Sequence, residues 1–203
     1  MTAFRGILYN IMPILNIPSV MEHGILSHNE IRRKRIPHES VADANCQSRR
    51  QAKVTNGLPL HEYANLYFDA RNPMMYRRKA QAEKLCVLII DKNVLNIENV
   101  VLTDRNMASG DSWIKFYSTH EIENLPFDKI YARYWIKEGH PSQCPCPDCR
   151  SNTSIRSAEV LVPFCVPFEY ITGVHVVNAQ AKQQLETMGC PHEISISPDT
   201  FFC

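Results

Sequence analysis

The chain has 203 residues, 44% of them apolar and 21% charged, with a net charge of +1. That length suits one domain with a sizeable core, and no apolar run approaches the roughly 18 residues that cross a bilayer. Eight cysteines stand at positions 46, 86, 144, 146, 149, 165, 190 and 203; their uneven spacing argues against a disulfide framework and for reduced thiols, some available to a metal.

The small net charge hides an asymmetry. Between Ile31 and Lys79 there are eleven Lys and Arg against four Asp and Glu, whereas from Ala80 onward there are ten against fifteen. Any one basic cluster reads as a solvated face. Three of them (Arg32 to Arg35, Arg49 to Lys53, Arg71 to Lys79) point to a polyanionic partner, either a nucleic acid or a dinucleotide phosphate group. The apolar stretch Ile7 to Val20 is broken by polar residues and by Pro13 and Pro18, so it does not read as a signal peptide. The expected compartment is the cytoplasm.

In chain order, Ile7 to Ile11 predicts a first strand, closed by Pro13. The run I-P-S-V-M-E-H-G predicts a short helix, with Pro18 in its first turn and Gly24 at C′. Residues His28 to Pro59 are polar, basic and weakly periodic. So long a connection is usually functional, and it reads as a loop with helical turns around Ser40 to Lys53. Leu66 to Phe68 is a short strand and Asp69 to Pro73 a turn, beyond which M-M-Y continues. Cys86 to Ile90 is the clearest buried strand. Val100 to Leu102 is another, followed by the polar turn T-D-R-N. Glu121 to Tyr134 reads as helical, restarted at Pro126. Gly139 to Arg156 is a second irregular segment. Strands at Glu159 to Val162 and Gly173 to Val177, a helix at Ala179 to Met188 and a short strand near Glu193 to Ser197 complete an α+β pattern with two long loops.

Several residues carry chemistry. Glu159 opens E-V-L-V, a continuously apolar strand. An unpaired carboxylate is costly to bury there, so Glu159 is either a solvated edge residue or is aimed into a site. Asp104, Arg105 and Asn106 suit a plain turn. Tyr67, Phe68, Met74, Met75 and Tyr76 read mostly as core. His140, Cys144, Cys146 and Cys149 place four soft ligands within ten residues, enough for a tetrahedral zinc site. Cys165, Cys190 or His192 could complete such a site, and the alternative is a flexible loop of reduced thiols.

Five segments, in order and spanning nearly the whole chain, resemble the DarT family of DNA ADP-ribosyltransferases, bacterial toxins that use NAD. Tyr9 to Ser27 (Y-N-I-M-P-I-L-N-I-P-S-V-M-E-H-G-I-L-S) is similar to the family's opening Y-H-I-T-H-x-x-N-L-x-x-I-L-x-x-G-x-L. Q-S-R-R-Q-A-K-V (Gln47 to Val54) is the second. L-H-E-Y-A-N-L-Y-F-D-A-R-N-P-M-M-Y (Leu60 to Tyr76) is the most specific, resembling L-H-D-Y-V-P-F-Y-F-x-x-R-S-P-M-L-Y. V-L-T-D-R-N (Val101 to Asn106) and A-E-V-L-V complete the set. The resemblance implies an ADP-ribosyltransferase fold: two short, mostly antiparallel sheets around an NAD cleft, with flanking helices. It also implies a single domain over residues 1–203, a basic loop near NAD at about 28–58 and a substrate loop at about 120–158.

The same resemblance implies roles. Glu159 is the catalytic carboxylate, stabilising positive charge on the ribose as nicotinamide leaves, as in glycoside hydrolysis. Arg50, second of the Arg49-Arg50 pair, enters the site, contacts NAD and favours the deprotonated acceptor base electrostatically, since arginine keeps its own proton. Arg49 is the adjacent competitor. Asn10, Ile11 and Met12, through their backbone groups, contact NAD together with Ser19 and Ser27. Asn10 stands where the family has His; it can donate and accept hydrogen bonds but takes no full charge. Met12 and Pro13 replace the family's Thr-His pair. Without the resemblance, Ser19 reads as a helix N-terminal residue that satisfies the backbone. Asp104, Arg105 and Asn106 would lie near the target nucleotide. The implied function is NAD-dependent transfer of ADP-ribose to thymidine or guanosine in single-stranded DNA. The implied protein is a monomeric toxin countered by a macrodomain-type or other ADP-ribosyl-removing antitoxin, with no membrane partner and no assigned metal. Two alternatives remain: an RNA or protein acceptor, and a non-catalytic, zinc-stabilised nucleic-acid-binding module.

Overall fold

A computed structural model describes residues 2–41, 44–51, 54–109, 114–141 and 144–203. The first strand, β1 (Ile7–Pro13), follows Gly6 and is mostly buried. Helix α1 (Ile17–His23) carries Pro18 in its first turn and ends at Gly24. Then come β2 (Ile25–Leu26), α2 (His28–Lys34) and α3 (Ala44–Gln51). A small hairpin of β3 (Val54–Thr55) and β4 (Leu58–Pro59) turns at Asn56 and Gly57, both at positive φ. The long basic segment therefore carries two helices and a hairpin. Of its expected helical turns, residues 42–43 and 52–53 lie outside the described residues.

Strand β5 (Tyr63–Tyr67) leads to α4 (Pro73–Arg78). M-M-Y thus continues as helix. Asn72 caps it, its Oδ1 accepting from the amides of Met74 and Met75 at 3.0 and 3.1 Å, and Pro73 begins the first turn, where no donor is needed. Strand β6 (Leu85–Asp91) is followed by β7 (Val101–Thr103) and β8 (Phe116–Tyr117). The helical stretch expected after Glu121 is split by Pro126 into a 3-10 segment (Thr119–Asn124) and α5 (Phe127–Ile130). The stretch expected to be irregular before Glu159 contains α6 (Pro147–Ile155). Strand β9 (Glu159–Pro163), β10 (Cys165–Val166), β11 (Ile171–Val176), α7 (Ala179–Thr187) and β12 (Ile194–Ile196) follow. Among the described residues, no helix is long and apolar enough to cross a membrane.

Eight strands form one sheet in the order β12-β11-β6-β1-β5-β9-β7-β8, antiparallel throughout except for β11 beside β12. Its two halves join at a narrow seam. β1 runs against β6 from Ile7 opposite Asp91 to Pro13 opposite Leu85, whereas β1 meets β5 at one registered pair, Tyr9 opposite Tyr67. The mixed, mostly antiparallel two-sheet core expected from the sequence takes this form. Beside it β2 pairs with β10.

Side-chain alternation sets the layers. Val160 and Val162 of β9 join Leu8, Leu66, Leu88 and Val174 in the main core, under α1, α5 and α7. Leu161 faces the other way, into a smaller cluster with Leu60, Tyr63, Val101 and Met107. Glu159, two residues before Leu161, shares that second face, so the strand that buries two valines also presents a carboxylate opposite the main core.

Candidate active site

Glu159 begins β9 directly opposite Tyr67 of β5, and Tyr67 is the residue that meets Tyr9 across the seam. The carboxylate is only 1% exposed. Arg50, from the last turn of α3, bridges both its oxygens through Nη1, at 2.8 Å to Oε2 and 3.1 Å to Oε1. The Met107 amide donates to Oε1 at 3.4 Å. The Arg50 side chain is 11% exposed. A buried carboxylate is tolerated only with such a charged, hydrogen-bonded partner, so the burial of Glu159 and the position of α3 depend on each other.

The backbone of Glu159 is held as well. Its N–H donates to Thr103 Oγ1 at 3.0 Å, and that hydroxyl donates to the Arg105 carbonyl at 2.8 Å. Thr103 therefore ties the turn after β7 to the start of β9. Upstream, Arg156 is 3% exposed. It donates to Asp69 Oδ2 at 2.9 Å and to the carbonyls of Arg71 at 2.6 Å, Ala132 at 2.9 Å and Ile130. Burial pushes its pKa down, and the facing Asp69 opposes that shift. This one guanidinium fixes the chain between α6 and Glu159 against the end of β5 and α5.

In the turn itself, Asp104 is buried and forms an ion pair with Arg105, Nη2 to Oδ2 at 3.0 Å. Asp104 Oδ1 also accepts from the Lys115 amide at 2.9 Å. Asn106 accepts from the Ala108 amide at 2.6 Å and donates its own amide to the Ser154 carbonyl of α6 at 2.9 Å. The side chains hold the turn, and the backbone amide of Asn106 docks it on α6, beside Glu159.

The residues expected at NAD fall in two places. Asn10 lies next to the seam: Nδ2 donates to the Asn65 carbonyl at 3.0 Å, and Oδ1 is buried without a partner among the described residues. The Ile11 side chain packs with Tyr67, Met75 and Val87. Met12 and Ser19 line a small open cleft with Gly24, Ile31, Ile36 and His38. Ser27 is buried and caps α2, accepting from the Glu30 amide at 3.2 Å. Gly24 shapes this corner. At φ 72 and ψ −169 it holds a conformation that is essentially glycine's own, and a Cβ there would lie 2.4 Å from the Val166 carbonyl.

Thr103, Arg156 and the Met107 amide were not singled out from the sequence; each acts through a hydrogen bond that leaves no local pattern. A second unanticipated feature is the cluster of Tyr76, Trp135 and Phe202, in edge-to-face contact. Arg71 lies over the Phe202 ring and Lys79 over Tyr76, and Tyr134 beside it is 75% exposed. Phe68 and Met75 are core. Apart from this region, His140 Nδ1 lies 3.1 Å from Cys144 Sγ, 3.7 Å from Cys146 Sγ and 3.6 Å from Cys149 Sγ. The other three candidate ligands lie elsewhere: Cys165 donates to the His23 carbonyl, Cys190 packs on the main core, and His192 packs at a tilt against Phe168.

The family described as "DarT: ssDNA thymidine ADP-ribosyltransferase" matches over residues 9–202. A DNA ADP-ribosyl transferase–DNA ADP-ribosyl glycohydrolase fusion protein of Thermosipho africanus is 32% identical over 202 residues, covering 96% of this chain and 49% of that protein. The chain thus spans about half the length of that relative. A DNA ADP-ribosyl transferase of Thermus sp. is 27% identical over 191 residues, covering 88% of this chain and 84% of the relative. The solved structure of Thermus sp. 2.9 DarT in complex with ADP-ribosylated ssDNA superposes with a TM-score of 0.81 at 22% identity, over 98% of this chain and 99% of that one.

Proposed function

This chain belongs to the DarT family, and from that premise we propose that it transfers ADP-ribose from NAD to a thymidine base of single-stranded DNA, releasing nicotinamide. The observation that carries this reading is the buried Glu159–Arg50 pair beside the sheet's seam. In the reaction, the bond between nicotinamide and ribose breaks and positive charge grows on the ribose. The Glu159 carboxylate is fixed to face that charge and to accept a ribose hydroxyl. The acceptor atom of the base bonds to the ribose as the bond to nicotinamide breaks; nicotinamide leaves neutral, and the base's proton passes to solvent. Arg50 stays protonated; it holds Glu159 in place before substrate binds, then contacts NAD and favours the base's deprotonated form by its charge.

NAD binds along Asn10, Ile11, Met12, Ser19 and Ser27. The unpartnered, buried Oδ1 of Asn10 supports this, since an acceptor so placed calls for a donor. Asp104, Arg105 and Asn106 face the nucleotide, with Tyr134 and the Tyr76–Trp135–Phe202 cluster as a stacking surface among basic side chains. The whole of 1–203 works as one catalytic domain, with 28–58 on the NAD side and 120–158 on the DNA side. The protein acts in the cytoplasm as a monomeric toxin. Its mark is removed by an ADP-ribosyl glycohydrolase such as the one that the Thermosipho relative's name includes.

The test is intact-mass analysis of oligonucleotides incubated with purified protein and NAD. A gain of one ADP-ribose on thymidine-containing single strands, absent from thymidine-free strands and duplex, is the expected result. A gain on RNA or protein alone refutes the DNA reading, and no gain on any acceptor refutes the enzyme.

A further inference from the structure

The clearest group outside the Glu159 site is the side-chain cluster before α6. The ligand atoms of His140, Cys144, Cys146 and Cys149 all lie within 4.8 Å of one another. In a tetrahedral zinc site with Zn–S of about 2.3 Å and Zn–N of about 2.0–2.1 Å, the N···S edge is roughly 3.6 Å and the S···S edge roughly 3.8 Å. The His140 Nδ1 distances of 3.1, 3.6 and 3.7 Å to the three sulfurs bracket that edge. Ligands this close surround one ion, whereas a two-iron cluster divides its ligands between two metals. We propose that His140 Nδ1 and the thiolates of Cys144, Cys146 and Cys149 bind a single zinc ion that anchors α6.

The surroundings suit thiolates. The Cys146 amide points at Cys144 Sγ at 3.5 Å, the Cys149 amide at Cys146 Sγ at 3.4 Å, and the Lys137 amide at Cys149 Sγ at 3.5 Å. Such N–H···S contacts are the outer shell that orients metal ligands. Three thiolates with a dication leave one negative charge, and Lys137 lies against this segment, paired with Asp148. Four protein ligands close the coordination sphere, so the ion serves structure and does not activate a water.

The position gives it a task. Cys146 and Cys149 bracket the first turn of α6. The far end of α6 offers the Ser154 carbonyl to Asn106, and Arg156 follows immediately. The metal fixes one end of a helix whose other end steadies the substrate turn and the approach to Glu159.

Metal analysis of protein purified without chelator, then reconstituted with zinc or cobalt under reducing conditions, tests this. About one zinc per chain is expected, as are the cobalt-to-thiolate charge-transfer bands of a tetrahedral site. Cys144→Ser and His140→Ala, both at surface-accessible ligands, should each lose the zinc while keeping the far-ultraviolet circular dichroism of the fold. Removing the metal should speed amide exchange in residues 137–156 and leave β6 unchanged. Failure of the reconstituted protein to hold zinc or cobalt, or zinc content unchanged in both variants, overturns the proposal.

Discussion

Replacing Glu159 by Gln isolates the charge from the shape. Gln keeps an oxygen for the Met107 amide but no longer neutralises Arg50, whose Nη1 now stands 2.8 and 3.1 Å from the two carboxylate oxygens. Breaking a fully buried pair costs about 3–5 kcal/mol through the charge left behind. Arg50 retains 11% exposure, which places the cost near the lower bound, about 3 kcal/mol. For a chain of this size that lowers Tm by roughly 6–12 °C. Removing a fixed group that faces transition-state charge costs a further ~10²–10³ in kcat. KM for NAD should move only a few fold, because the interaction strengthens as the ribose becomes cationic. Initial rates of ADP-ribose addition to a thymidine-containing oligonucleotide, measured against NAD well below the variant's Tm, read all of this. Adding Arg50→Met removes the stranded charge, so the double variant should regain stability without regaining activity. A Glu159→Gln enzyme within about threefold of wild-type kcat, or one whose whole loss lies in KM, would refute the reasoning.

The neighbouring contacts make narrower predictions. Thr103→Val orphans the buried Glu159 amide, which now donates at 3.0 Å; stability should fall by about 1–3 kcal/mol. Its kcat should drop with KM for NAD little changed, and Thr103→Ser should restore both, whereas failure of serine to rescue would reduce Thr103 to a packing role. Arg156→Met removes the donor of three carbonyls and one of two cations facing Asp69, which keeps Arg5 at 3.7 Å and the Arg71 amide at 2.8 Å; the expected loss is about 3 kcal/mol, the low end for a broken buried pair, or roughly 6–12 °C in Tm by calorimetry. Gly24→Ala must leave a backbone conformation at φ 72 that other residues avoid, and its Cβ would crowd the Val166 carbonyl at 2.4 Å. A cost of at least about 1–3 kcal/mol follows, with weaker NAD binding in titration because the same glycine lines the cleft with Ser19; unchanged stability would show that β10 yields freely.

What could be read from the sequence was whatever leaves a local signature. The apolar runs of β6 and β9 announced buried strands, and Pro18 with Gly24 bounded α1, because these signals lie within one element. The hairpin at Asn56-Gly57 carried the strongest short hairpin dipeptide, yet Pro59 and the polar surroundings hid the two-residue strands on either side. Helix α6 was concealed because its cap is a cysteine, Cys146, whose sulfur accepts from the Cys149 amide at 3.4 Å. A cysteine spaced for metal binding does not read as a helix start. The Glu159–Arg50 pair joins positions 109 apart in sequence. Only the order of the matched motifs, and no periodicity, put those two residues in one site. Thr103 lay within a matched segment, but nothing in it pointed to Glu159, 56 positions away, and Arg156 lay outside every matched segment with its partners in distant ones.

The Glu159–Arg50 contact bears on how the proposed reaction can begin. At 1% exposure the carboxylate is enclosed, and its hydrogen bonds come from Arg50 Nη1 and the Met107 amide. A ribose that reaches Glu159 must bring hydroxyl donors to replace what Nη1 supplies, because an undonated buried carboxylate is costly. Substrate binding is then an exchange of hydrogen bonds, and Arg50 moves from the carboxylate toward the other charges present: the phosphates of NAD and the developing anion on the base. A lysine could neutralise Glu159 at rest. Its single nitrogen could even bridge both oxygens as Nη1 does, but it has no second nitrogen with which to present a planar fork to a phosphate. The arginine's geometry, and not only its charge, is what this exchange requires.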